Sequence, residues 1–280
     1  MINKNNKRGN VMVGIFVILT VLIIGTTLFV FNVYKAGEKV LRYDLHFSDA
    51  VEAKSGELEE YIDSFGEKAV IKSYKEMTEK GYYVGKEIPE TKETIFVFDN
   101  YNDEEEKFVN GKFVELFKKY FQKEFESIEF NDLVLGNLKD YILRGAYEAE
   151  FDGEVLKLSV KGLSIVGDSV VKDGKREWNW YLSDKLPSNE NAETSIVNRR
   201  DIGKMFNLRI VGLESFENIE NSIILCNAES DFEKCLDLKI KNFESSHSKS
   251  AGGLRIVTLE SKKEFLIDGK YEGIALQFLL

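Results

Sequence analysis

The chain has 280 residues, 43% of them hydrophobic, with 21 Gly and only 2 Pro, which excludes a disordered chain, a collagen-like repeat and a Pro-rich stalk. Two Cys and two His, His46 and His247, are too few for a disulfide-dense scaffold, a four-Cys zinc site or a His-based catalytic centre. The net charge of −10 is unevenly placed: residues 1–42 hold Lys4, Lys7, Arg8, Lys35, Lys39 and Arg42 against the single acid Glu38, a net +5, so residues 43–280 carry −15. So acidic a body repels phosphate backbones, and nucleic acid is not an expected partner.

The first element is Val11–Phe31, 21 residues without a charge. At ~1.5 Å per residue this makes roughly 31 Å of helix, the thickness of a bilayer's hydrocarbon core. The reading is a transmembrane helix over 10–34, with the lipid bilayer as its partner. Basic residues flank both ends, so their count alone does not orient the span. A short N-terminal segment before a long body is the arrangement of a signal anchor, and Cys226 and Cys235 suit a compartment where disulfides persist. The expected location is therefore the cell membrane, single-pass, with the N-terminus cytoplasmic and the body extracytoplasmic.

Lys7-Arg8-Gly9-Asn10, directly before the apolar run, resembles the class III signal of type IV pilin-like proteins, above all the archaeal ones. The resemblance covers about 25 residues. It implies a basic leader over 1–9 cut between Gly9 and Asn10 by a prepilin-type peptidase, and a helix that packs in a filament. Bacterial pilins carry a Glu five residues into the mature chain where this sequence has Gly14. The stretches Val13–Val17 and Tyr43–Phe47 also resemble MCE-type lipid-transport proteins, whose Gly-rich barrel pattern does not follow.

In the body, Leu58, Tyr61, Ile62, Phe65, Ala69 and Met77 recur at helical spacing before Gly81, which predicts a helix over 56–80 with Gly66 as its weak spot. Thr94–Phe98 reads as a short strand and Asp99–Glu106 as a polar loop. Phe113, Leu116, Phe117, Tyr120, Phe121, Phe125 and Ile128 then mark one face of a helix, an aromatic stripe read as core. Leu135, Leu138, Tyr141 and Ile142 mark another over about 132–144. From residue 146 apolar and polar residues alternate, and Asp-Gly pairs at 152–153, 173–174 and 268–269 read as two-residue hairpin turns. Further strands are expected at Phe206–Val211, Leu236–Ile240 and Leu254–Leu259, with polar loops over about 183–201 and 245–253. Trp178 and Trp180 share one strand face and read as buried.

The fold class is thus α+β: one N-terminal transmembrane helix, a mainly helical subdomain over 45–145, and an antiparallel β-rich subdomain over 146–280. Asp99 and Asp103 head the densest acidic cluster, but its spacing does not fit a calcium loop, and a solvated loop is the better reading. Gly162-Leu-Ser164-Ile-Val166 lacks the last Gly of a nucleophile elbow. No catalytic set, metal site or cofactor is expected. Cys226 and Cys235 are expected to form a disulfide. The function read from the sequence is a structural or interaction role, pilin-like, surface or filament-associated, with protein partners or self-assembly. The alternatives are a membrane-anchored carboxylate-dependent hydrolase and a lipid- or solute-binding accessory protein.

Overall fold

A computed structural model describes residues 26–30, 49, 51–84, 96–97, 103–130, 133–172, 175–183, 194–249 and 255–279. The chain divides into two compact units, Met1–Ser55 and Gly56–Leu280. Of the apolar run only 26–30 are described, and these are helical; the rest of the span and the leader lie outside the described residues. Among the described residues no helix is long and apolar enough to cross a membrane.

The larger unit is α+β with antiparallel sheets. Its helices are α1 (51–80, its first turn in the smaller unit), α2 (Asp103–Glu126), α3 (Leu133–Leu143), α4 (Leu208–Val211), α5 (Phe216–Cys226) and α6 (Phe232–Lys239). One sheet is built on the 18-residue strand β3 (Val155–Lys172). The strands β2 (Glu148–Phe151) and β4 (Lys175–Ser183) lie in tandem along one edge of β3, and β5 (Thr194–Asn207) covers the other. The register with β5 shifts between Val160 and Leu163. There Gly162 takes a left-handed backbone, φ 74°, and donates its N–H to Asp201 Oδ1 at 2.7 Å. This is a bulge that needs glycine, so the Gly162–Val166 run is strand and no nucleophile elbow.

A second sheet runs β1 (Phe96–Val97), β10 (Ala275–Leu279), β7 (Arg255–Ser261), β6 (Phe243–Lys249), with β1 parallel to β10 and the other pairs antiparallel. A separate hairpin joins β8 (Phe265–Ile267) and β9 (Lys270–Glu272). Helix α1 reaches both large sheets. Its Phe65 stands edge-on to Phe125 of α2, its Gly66 lies under the ring of Phe206 on β5, and its Tyr74 stacks on Phe216 of α5 near Phe243 of β6. After α1, Tyr83 packs on Phe216 and Phe278 and donates its hydroxyl to Gln277 O at 2.8 Å. The stripe on α2 is core: Phe113, Phe117, Phe121 and Phe125 are fully buried.

Several expected elements come out differently. Asp103–Glu106 is not loop but the first turn of α2, because four carboxylates there meet the positive end of the helix dipole. The Asp152-Gly153 connection is wider than a two-residue turn, since Phe151 pairs with Leu156. The Asp152 carboxylate accepts from the N–H groups of Glu154 and Val155, an Asx turn that competes with the tighter hairpin. Asp268-Gly269 does make the tight turn, with φ 48° and 82° between Ile267 and Lys270; residues 173–174 lie outside the described residues. The expected strand to Val211 stops at Asn207, whose side chain caps α4 by accepting from Arg209 and Ile210. Leu236–Ile240 is not a strand but the end of α6 and its C-cap. Two stretches read as polar loop hold strands, residues 194–201 in β5 and 245–249 in β6. The polar side chains of β6 suit its place at the edge of its sheet. Trp180 is half-buried and lies across Gly167 of the neighbouring strand; the side chain of Trp178 lies outside the described residues.

Candidate functional site

Of the residues singled out in the sequence, Gly9, Asn10 and Asp99 lie outside the described residues. Asp103 is exposed at the head of α2, and among the described residues no group of three or more His, Cys, Asp or Glu is placed to hold a metal ion. Cys226 and Cys235 are brought together. Cys226 closes α5 and is fully buried, Cys235 sits in α6, and their sulfurs are bonded with the Cα atoms 5.6 Å apart. Ser215 caps α5 and Asp231 caps α6, so two short helices that would be marginal alone are held by caps and a bridge.

The charged groups concentrate along the seam between α1, α2 and the β8–β9 hairpin. Glu76 of α1 is buried at 8% exposure, yet every donor it needs is present. Its Oε2 accepts from Tyr120 Oη at 2.5 Å and Lys119 Nζ at 2.9 Å, and its Oε1 pairs with Lys80 Nζ at 2.9 Å. Burial presses the Glu76 carboxyl upward, but the hydrogen bonds from Tyr120, Lys80 and Lys119 prevail and hold it at about 2. Burial and the bond to Glu76 raise the Tyr120 phenol. Glu76 is therefore a fixed anion, far from the near-neutral range a general acid or base uses.

One turn earlier Lys72 bridges Glu124 of α2, at 2.5 Å, and Asp268 at the hairpin tip, at 2.7 Å. Burial works to lower the Lys72 ammonium, and hydrogen bonds to Asp268 and Glu124 outweigh it, so it rises above its ordinary value. Lys75 pairs in the same way with Glu272 of β9. Glu214, 2% exposed, accepts from Asn218 Nδ2 at 3.0 Å and pairs with Arg209 Nε at 3.4 Å, tying α4 to α5, while its carbonyl accepts from Tyr74 of α1 at 2.8 Å.

Two hollows carry polar groups that bear on function. The larger, about 470 Å³, lies between α3 and the β3–β4 ribbon and is lined by Asn137, Asp140, Tyr141, Arg144, Leu163 and Leu182. Its polar groups are engaged with backbone: Tyr141 Oη donates to Lys161 O at 2.6 Å, Arg144 Nε to Asp140 O at 3.2 Å, and Asn137 Oδ1 accepts from Leu182 N at 3.3 Å. Among the described residues Asp140 is the carboxylate on its wall. The second, about 270 Å³, lies between α1, α2 and the β8–β9 turn and carries Lys68, Lys72 and Lys123 beside Glu124 and Asp268. Both of its carboxylates are engaged by Lys72.

Sequence reasoning passed over this lysine-walled hollow because its residues come from three elements. The spacing of Lys68 and Lys72, one helical turn apart on α1, is the one local signal of it. Compared with known proteins, the chain matches no family model, no curated protein and no solved structure.

Proposed function

We propose that the chain is a single-pass membrane-anchored protein with its N-terminus cytoplasmic, its body extracytoplasmic, and a structural or interaction role of the pilin-like kind. The observation that carries this reading is the uncharged run Val11–Phe31 set directly after Lys7-Arg8-Gly9-Asn10, which is long enough to span a bilayer as a helix. Three features of the body support it. The bond between Cys226 and Cys235 suits an oxidising compartment. The aromatic stripe of α2 is buried rather than open as a substrate groove. Exposed Ile224 and Leu225 on α5 and Leu238 on α6 give protein contact an apolar surface on the helix pair that the bridge joins.

The test is N-terminal sequencing of the protein extracted from the membranes of its native host. A chain beginning at Asn10, together with retention of the longer form when Gly9 is replaced by Trp, supports processing by a prepilin-type peptidase. An intact leader in the membrane fraction removes the pilin-like part and leaves a signal anchor. Recovery of the whole chain in the soluble fraction removes both.

A further inference from the structure

The hollow between α1, α2 and the β8–β9 turn is cationic in a body that is otherwise strongly acidic. Lys68 and Lys72 stand one turn apart on α1, Lys123 faces them from α2, and Lys72 is shared by Glu124 and Asp268. Among the described residues neither Lys68 nor Lys123 makes a direct ion pair, although the Lys123 charge acts on Asp268 at longer range. Three ammonium groups against two carboxylates leave the wall at +1, whereas residues 43–280 as a whole carry −15. Such a body repels a long polyanion, so only a small anionic group is drawn to the local field.

The wall also has an apolar part. Leu266 lines the hollow, and its cross-strand partner Tyr271 shares its face of the hairpin. Both are exposed, while their neighbours Phe265 and Ile267 point into the core. Lysine ammonium groups take phosphate as point charges, and an exposed Leu-Tyr pair beside them takes hydrocarbon.

We propose that this hollow binds a small amphiphilic anion, a phosphate head on an apolar body, with Lys68 and Lys123 holding the head and Leu266 and Tyr271 the body. Asp268 acts as a built-in competitor for the head. It sits at the hairpin tip with its carboxylate largely exposed and engages Lys72 from the solvent side. The hollow lies within residues 56–280, so the proposal stands or falls apart from the N-terminal anchor.

The test is isothermal titration of the full chain, dispersed in a non-ionic detergent with detergent alone as blank, using hexyl phosphate and inorganic phosphate as probes. Hexyl phosphate is expected to bind more tightly than inorganic phosphate, which separates a lipid-like source from free phosphate. Lys68→Gln and Lys123→Gln should each weaken hexyl phosphate about threefold to fivefold, and Lys241→Gln, outside the hollow, should leave it unchanged. Leu266→Ser should weaken hexyl phosphate and spare inorganic phosphate. Asp268→Asn, which keeps a side chain suited to the left-handed turn, should strengthen both probes; a general loss of fold cannot produce that sign. No binding of hexyl phosphate, equal loss with Lys241→Gln, or weaker binding with Asp268→Asn overturns the proposal. Equal affinity for the two probes overturns its apolar part.

Discussion

Replacing Gly66 by Ala places a helix-favouring residue in the middle of α1, and on propensity alone it should stabilise the protein by about 1 kcal/mol. The packing predicts the opposite sign. A Cβ at Gly66 would stand 2.2 Å from Cζ of Phe206 and 2.8 and 2.9 Å from its two Cε atoms. Phe206 is buried, and the ring of Phe117, itself fully buried, stands 6.4 Å from its own, so the ring has little room to retreat. Overpacking of this kind costs about 1–3 kcal/mol, and against the ~1 kcal/mol gain in propensity Gly66→Ala should lose up to about 2 kcal/mol net. The three clashing atoms are ones that leucine lacks. In a Phe206→Leu background Gly66→Ala should therefore turn stabilising by about 0.5–1 kcal/mol, a coupling of about 2 kcal/mol between the sites. Urea denaturation of the oxidised protein, followed by circular dichroism across the four members of the cycle, measures it. Equal effects of Gly66→Ala in both backgrounds would refute the close approach of α1 and β5.

Removing the bridge by the double change Cys226→Ser and Cys235→Ser should cost about 2.7 kcal/mol by the chain-entropy argument for a loop of about ten residues; an unchanged urea midpoint would sink it. Glu76 is held low in the folded chain, at about 2 against an ordinary 4.5, so its contribution is complete above pH ~4.5 and is lost as the pH falls toward 2. The unscreened value is about 3 kcal/mol, and solvent reaching the Lys80 and Lys119 ends reduces it to about 1–2 kcal/mol. Glu76→Gln should lower stability at pH 7 and flatten the acid limb of the profile between pH 4.5 and 2; an unaltered acid limb would show that other carboxylates carry it.

The parts of the fold that were legible in the sequence are those where one strong period runs long. The α2 stripe from Phe113 to Phe125 repeats at helical spacing, and Phe113, Leu116, Phe117, Phe121 and Phe125 are buried, with Tyr120 half-buried at its margin. Helix α6 misleads because Leu236, Leu238 and Ile240 alternate with Asp237 and Lys239 as a strand would. Leu238 faces solvent in the helix, and what makes eight residues helical is the Asp231 cap and the bridge to α5. Helix α5 had a usable signal that went unread, Ser215 as cap with Phe216, Ile219, Ile223 and Cys226 on one face. Gly66 reads as a weak spot locally, and its reason, Phe206, lies 140 positions along the chain. The lysine hollow has the same character, since Asp268 and Lys123 meet Lys68 and Lys72 only once the β8–β9 hairpin is laid on α1.

The pairing of β1 with β10 has a consequence for how the protein is made. Tyr83, at the end of the first long helix of the body, hydrogen-bonds to Gln277, 194 residues later, and Lys75 reaches Glu272 across almost the same interval. At ~5–20 residues per second of synthesis, α1 waits roughly 10–40 s before the strands that complete its surroundings leave the ribosome. Until then Tyr74 and Tyr83 have no second sheet to pack against. The first sheet, complete by Asn207, can form earlier, so the delay falls on the second sheet and on the face of α1 that it covers. The same delay leaves this side of α1 uncovered until Phe216, Phe243 and Phe278, which pack on Tyr74 and Tyr83, have been made.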